Sequence, residues 1–408
     1  MLDQGGFPRR LLKESAEARK AYFKSHPIGH TKINEVAHEL LRLIREPADA
    51  EVIHLIGPTG VGKTTVMGYV IKKLFELALP ELEQNPGQIP AAFMVARNPE
   101  RGVYDWKEHY VSTMIALNEV LIDKKIFLPE PGPHRDAQKA RVLERAGGVA
   151  ALRRAAESAL ENRIKFGFFV DEAQYMTKNK SGPGLENQAD TIRSIAFESK
   201  TLHVLVGTYA LRFLRNLNGQ LGRRSHTVHF ERYRIEDGKD EENRKNAQSF
   251  SEAFVSLQDL LPLEKTPDLT KHVEFCFSRC VGCVGHLKSW FTRGLDMALE
   301  DNLDTIPSRL FLKAAPPKSV WEQIVAEVKE GEDALAEADD ELASEWLKVA
   351  EADTTGSAKS VRGKKSPGTE KKNTSAKSNR TSSKRSRKGR RIEPKPKRYP
   401  VGINKNVN

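Results

Sequence analysis

The chain of 408 residues has no run of about 18 apolar residues, so a membrane-spanning helix is not expected. The stretch behind its first charges lacks the apolar character of a secretory leader, and none is expected. Cysteine is scarce: Cys276, Cys280 and Cys283 fall within one short segment, which argues against a disulfide framework and suits a reducing, cytoplasmic setting. Basic charge is also scarce over most of the length. Residues 354–408 hold 18 Lys+Arg against 2 Asp+Glu, a net of +16, so residues 1–353 carry −5 of the total of +11. The basicity therefore belongs to the tail, and nucleic-acid contacts of body and tail are separate questions. There is no internal repeat and no Asn-Lys-x-Asp guanine reader, since Asn179-Lys180 is followed by Ser-Gly.

What is present alternates between two periods. Residues 9–24 place Leu11, Leu12, Ala16, Tyr22 and Phe23 on one helical face before His26-Pro27 ends the segment, and 32–45 place Ile33, Val36, Ala37, Leu40, Leu41 and Ile44 at amphipathic helical spacing. Short apolar runs at 52–56, 91–96, 166–170, 202–206 and 227–230 read as strands. Helices are predicted between them at 64–79, 106–122, 137–162 (interrupted at Gly147-Gly148) and 188–199. This alternation implies an α/β fold with a parallel sheet flanked by helices. From about 243 the pattern is helical, at 247–261, 270–281 and 285–299, and 318–350 is acidic and helix-prone. Beyond Asp353 almost nothing is apolar, so that tail is expected to be disordered. The expected divisions are an N-terminal arm (1–27), an α/β core (28–235), a small helical lid (236–315), an acidic helical segment (316–353) and the basic tail (354–408).

Gly57-Pro58-Thr59-Gly60-Val61-Gly62-Lys63-Thr64 matches the P-loop pattern in full, with Thr65 following, and lies between a strand and a helix as the motif requires. The glycines allow a backbone path whose N–H groups face phosphate, Lys63 neutralises β and γ oxygens, and the Thr64 hydroxyl is suited to magnesium. Phe166-Gly-Phe-Phe-Val-Asp171-Glu172 supplies a buried strand that delivers Asp171 to the magnesium shell and Glu172 to an attacking water. The pair points to ATP with magnesium and to hydrolysis, GTP being disfavoured by the missing guanine reader.

With these motifs, Leu205-Val-Gly-Thr208 on the next strand and a helical region behind the sheet, the chain resembles an AAA+ P-loop ATPase over residues 25–300. More narrowly, Asp171-Glu-Ala-Gln, Leu-Val-Gly-Thr and Gly285-x-Leu-Lys288 resemble the TniB/TnsC group, the MuB-like ATPase regulators of DNA transposition. The resemblance implies that Thr208 acts as sensor 1 and that Arg223 or Arg224 is an arginine finger for a neighbouring subunit. It also gives Lys288 the sensor 2 role and places Ile28-Gly29-His30 at the adenine pocket. It implies a bacterial protein that forms a homo-oligomeric ring or filament on double-stranded DNA without reading sequence, joins a target-selector protein to transposase subunits, and disassembles on hydrolysis. A replication initiator or helicase loader is the alternative within ATPases, and a signalling NTPase switch indifferent to nucleic acid the alternative outside that class.

Cys276, Cys280, Cys283 and His286 could be zinc ligands, but their spacing is not that of a knuckle pair, and buried thiols are expected. The runs beginning at Lys384 and Lys395 suit phosphate contacts or an acidic protein surface. In the resembled family the region of Arg97, Arg101 and Lys107 lines the filament bore, so these three are candidate DNA-backbone contacts.

Overall fold

The computed structural model describes residues 6–100, 102–122, 148–178, 183–212, 214, 224–235 and 240–336. All lie within one compact unit, Met1–Lys348. Arg101, Arg223, the rest of the acidic segment and the basic tail lie outside the described residues.

Five parallel strands, β1 (Val52–Ile56), β2 (Ile89–Val95), β3 (Ile164–Asp171), β4 (His203–Gly207) and β5 (Ser225–His229), stand in the order β2-β3-β4-β1-β5. The central strands are largely apolar because helices cover both faces: every residue of β1 and β4 is buried, His54 and His203 included. At the β2 edge Phe93 and Val95 are each 50% exposed while Ala92 and Met94 are buried, so this strand alternates. One face carries α2 (Thr31–Arg45) and α3 (Lys63–Leu82); the other carries α4 (Trp106–Ala116), α5 (Val149–Arg163) and α6 (Pro183–Glu198). In α2 the structure buries Leu43 as well as Leu40, and Leu41 only partly.

Because the sheet is parallel, the carboxyl ends of β1, β3, β4 and β5 open on one edge, the place where ligands bind such sheets. The P-loop, Asp171, Thr208 and Phe230 emerge there in turn. The α/β architecture expected from the sequence is present.

Several boundaries differ for local reasons. The arm divides into a 3-10 turn, Arg9–Lys13, and α1 (Ala16–Ser25), because the Ser15 hydroxyl caps a new helix by accepting from the Ala18 N–H at 3.3 Å. The helix from Trp106 stops at Ala116 because Asn118, just past the Leu117 cap, turns left-handed (φ 54°) and closes the end. The segment 270–281 divides into a 3-10 turn and α8 (Val273–Arg279). Gly282 then passes under Tyr233 so closely that a Cβ would stand 1.7 Å from the Tyr233 carbonyl oxygen.

The lid comprises α7 (Asp240–Asp259), α8, α9 (Val284–Glu300) and α10 (Ser308–Lys313) around Phe254, Trp290, Phe291 and Phe311. Phe23 of the arm is fully buried in that same cluster, and Arg19 donates to the Pro262 carbonyl. The arm thus packs as part of the lid. A last helix, α11 (318–336), buries Val328 and Leu335, and its Gly331 leaves no room for a Cβ against the Tyr209 ring. No helix among the described residues is long and apolar enough to cross a membrane.

Candidate functional site: a phosphate-binding loop at the carboxyl edge of the sheet

The loop from Gly57 to Gly62 turns sharply between β1 and α3. Gly60 (φ 76°) and Gly62 (φ 117°) adopt conformations that side chains resist, and Gly57 passes the Phe230 carbonyl at a distance that excludes a Cβ. Val61, beside them, is buried. Lys63 opens α3, and its ammonium donates to the Gly57 and Pro58 carbonyls, each at 2.8 Å. Burial lowers its pKa to about 8, opposed by the carboxylates of Glu172 and Asp171. A phosphate arriving at the loop would meet backbone N–H groups, the amino end of a 20-residue helix and this ammonium.

Asp171 ends β3 and is 5% exposed. Its Oδ2 accepts from the Thr64 hydroxyl at 2.8 Å and its Oδ1 from the Glu172 N–H at 2.9 Å. Two hard oxygen donors thus meet beside Lys63, a set that fits magnesium. Glu172 is itself left-handed (φ 53°, ψ 30°), a costly backbone state for a glutamate and one that clusters at functional sites. Its carboxylate accepts from the Gln174 amide.

Gln174 carries no role in the sequence beyond its place in the Asp171-Glu-Ala-Gln run. Its other end, Oε1, accepts from the Thr208 N–H at 3.3 Å. Gly207 makes this possible, because a Cβ there would stand 2.5 Å from that oxygen. Glu172 and Thr208, on neighbouring strands, are therefore joined through one amide. The signal in the sequence was only the spacing of two residues after Glu172, which a 3-10 turn (Ala173–Thr177) converts into proximity.

His30 lies at the amino end of α2 with its Nδ1 in a 3.0 Å hydrogen bond to the Tyr233 hydroxyl, and burial, then the Lys32 charge, lowers its pKa to about 4. A cleft of about 630 Å³ adjoins the loop beside Thr64 and Thr65 and is walled by His26, Pro27 and Tyr69, immediately before Ile28-Gly29-His30. Lys288 points to the arm, donating to the carbonyls of Lys24 (2.8 Å) and His26 (2.7 Å). The lid residues that reach the loop are Gly285, whose N–H donates to the Gly60 carbonyl at 2.8 Å, and His286, whose ring covers Gly60.

Arg224 lies at the opposite edge of the sheet, just before β5, paired with Glu51 at 2.6 Å. Arg97 is exposed after β2 and paired with Glu108 at 3.1 Å; Lys107 is in the first turn of α4. Both line a cavity of about 620 Å³ with Trp106 and Val103. The thiols of Cys276, Cys280 and Cys283 are buried, which pushes those of Cys276 and Cys283 up to about 12 and that of Cys280 well up. Among the described residues no group of three or more His, Cys, Asp or Glu side chains is arranged to hold a metal ion.

No protein-family model matches the chain, and no curated protein matches it. Several solved structures resemble it at low identity. The ORC2 protein of Aeropyrum pernix, in ADPNP-ADP complexes, has a TM-score of 0.49 and 16% identity over 80% of this chain and 73% of that one. A Walker-type ATPase of Pyrococcus abyssi has 0.39 and 15%, covering 75% of each chain. A mutant of Thermotoga maritima RuvB has 0.34 and 15%, over 74% of this chain and 71% of that one.

Proposed function

We propose that this chain binds ATP with magnesium, hydrolyses it, and uses the cycle to assemble on and leave duplex DNA as a regulator of transposition. The observation that carries the ATPase reading is the meeting of Lys63, Thr64, Asp171 and Glu172 at one edge of the sheet, with the Thr64 hydroxyl 2.8 Å from Asp171.

The loop N–H groups and Lys63 would bind the β and γ phosphates, Lys63 exchanging its two carbonyl partners for phosphate oxygens. Thr64 and Asp171 would hold magnesium, which when bound supplies charge neutralisation to the phosphates. Glu172, held by Gln174, would accept a proton from the attacking water, and Thr208 at the end of β4 would sense the terminal phosphate. The nucleoside would lie in the cleft beside Thr65, towards His30, with the lid residue Lys288 fixing the arm that walls it.

Arg224 is remote from its own P-loop, before the amino end of β5 and paired with Glu51, so as an arginine finger it would serve the site of a neighbouring copy. In this reading the copies assemble into a ring or filament, as the motif resemblance implies. Arg97, Arg101 and Lys107 would grip DNA phosphates, which gives affinity without sequence preference. The transposition role, with a transposase and a target selector as partners, draws on the motif resemblance.

The test is electron microscopy with a non-hydrolysable ATP analogue, with and without a random-sequence duplex. Assemblies that need both ligands are expected. Nucleotide-driven assembly indifferent to DNA would replace this reading with a signalling switch.

A further inference from the structure

The helix α11 joins the lid to the α/β core across the edge where the phosphate loop opens. Trp321, Ile324, Val328, Gly331 and Leu335 fall on one face of it, in a segment that also holds Glu327, Glu330 and Glu332. At its start the Trp321 indole donates to the Ser278 carbonyl of α8 at 3.0 Å, and the Arg279 guanidinium lies 5.4 Å from the Trp321 ring centre. At its end Leu335 is buried in the core cluster that holds Leu211 and Leu214, beyond β4. Between these ends Gly331 lies against the Tyr209 ring, one residue past Thr208, with no room for a Cβ. Glu332 receives both arms of Arg232, two residues past Phe230, at 2.9 and 3.0 Å. The same guanidinium donates to the Val281 carbonyl of the lid at 3.5 Å, so strand end, lid and α11 meet on one side chain. The Glu327 charge is among those that act on the Lys63 ammonium, after Glu172 and Asp171.

We propose that α11 is an intramolecular strap that holds the lid against the core and thereby slows nucleotide exchange at the phosphate loop, with the Glu332–Arg232 pair as its fastening. The consequence for nucleotide rests on the ATPase reading; the fastening of the lid does not. The lid touches the loop through the Gly285 N–H on the Gly60 carbonyl, at 2.8 Å. It cannot turn away from that contact without drawing Trp321 off α8 or drawing Gly331 and Leu335 out of the core. A carboxylate at Glu327 also opposes an arriving phosphate. The strap is releasable, because Val328 and Leu335 are the only apolar side chains of α11 that are buried, and an element with so few buried contacts opens ahead of the whole fold.

Two substitutions in the full chain undo the same seat by different means. Glu332→Lys sets like charges against Arg232 and Arg234, and Gly331→Leu drives a side chain into the Tyr209 ring. Hydrogen exchange without nucleotide reports on the lid helix 284–300 and the loop 57–65, and a fluorescent ADP chased with unlabelled ADP reports on release. Both variants should speed exchange in both segments and raise the ADP release rate at least about tenfold, the factor for losing one hydrogen bond to a charged group. Adding Arg232→Glu to Glu332→Lys reverses the pair and should restore most of the slow release. Faster exchange confined to 318–336, with lid, loop and ADP release unchanged, would overturn the proposal, as would full protection of 318–336 in both variants. ADP that fails to bind the unaltered chain would instead sink the ATPase reading, and the exchange of lid and loop would still decide on the strap.

Discussion

Gln174 donates its amide N–H to the Glu172 carboxylate and accepts, through Oε1, the main-chain N–H of Thr208 at 3.3 Å. One side chain thereby fixes the rotamer of the proposed base relative to the strand that would sense phosphate. Replacing Gln174 by Leu should lower kcat about tenfold through misplacement of Glu172 while ATP affinity stays within about twofold. Steady-state ATPase assays combined with nucleotide titration check this, and a change confined to affinity would argue against it.

Gly282 is predicted to be a stability determinant. It is left-handed (φ 68°), and a Cβ would stand 1.7 Å from the Tyr233 oxygen, which itself lies on main chain beside the fully buried lid core. Gly282→Ala should cost about 2 to 4 kcal/mol from strain and backbone displacement. Thermal unfolding of the variant, with the melting point lowered by several degrees, is the expected result.

The acidic helix α11 is expected to be clamped to the core chiefly by the pairing of Glu332 with Arg232, the shortest of its ion pairs to the core. Glu332 receives both arms of Arg232, at 2.9 and 3.0 Å, and both side chains are at least four-fifths buried. Glu332→Ala should cost about 1.5 to 3 kcal/mol, the range for hydrogen bonds to charged groups, and should expose α11 first. Hydrogen exchange in 318–336, faster in the variant than in the rest of the core, would show it.

Stability should fall in mild acid. His109 and His203 are buried, and burial is the first cause that lowers their pKa values to about 3 and about 4, against 6.5 when unfolded. Their folded values are depressed, so the unfolded chain binds the extra protons. The stability they confer is complete above about pH 6.5 and is lost as pH falls towards 4, at up to about 1.4 kcal/mol per pH unit for each. Urea midpoints at pH 7.5 and 5.5 measure the loss, and His109→Gln with His203→Gln should flatten it.

Much of this was legible because it is local. Gly57 to Thr64 specify their own turn, and the apolar runs of β1 and β3 mark strands buried on both faces. Strand order was not: a P-loop and an Asp-Glu strand end must lie on the same edge, but β4 stands between their strands, which only the sheet itself shows. What escaped was set by contacts between distant segments. The bond from Gly285 to Gly60 and the fit of Gly331 on Tyr209 depend on glycines whose sequence neighbours carry no such signal. Phe23 looked like part of a separate arm, because periodicity shows that a face is apolar without showing what covers it. Helix ends moved where a single residue, Ser15 or Asn118, could close the chain on itself.

Phosphate release from ATP, measured alongside equilibrium ATP binding for the unaltered chain, Glu172→Gln and Lys63→Ala, tests the central claim most directly. The unaltered chain should turn over, Lys63→Ala should fail to bind, and Glu172→Gln should bind with unchanged affinity while releasing phosphate at least about a hundredfold more slowly. Normal turnover by Glu172→Gln would contradict the account, because the left-handed turn at this residue would then have no chemical purpose.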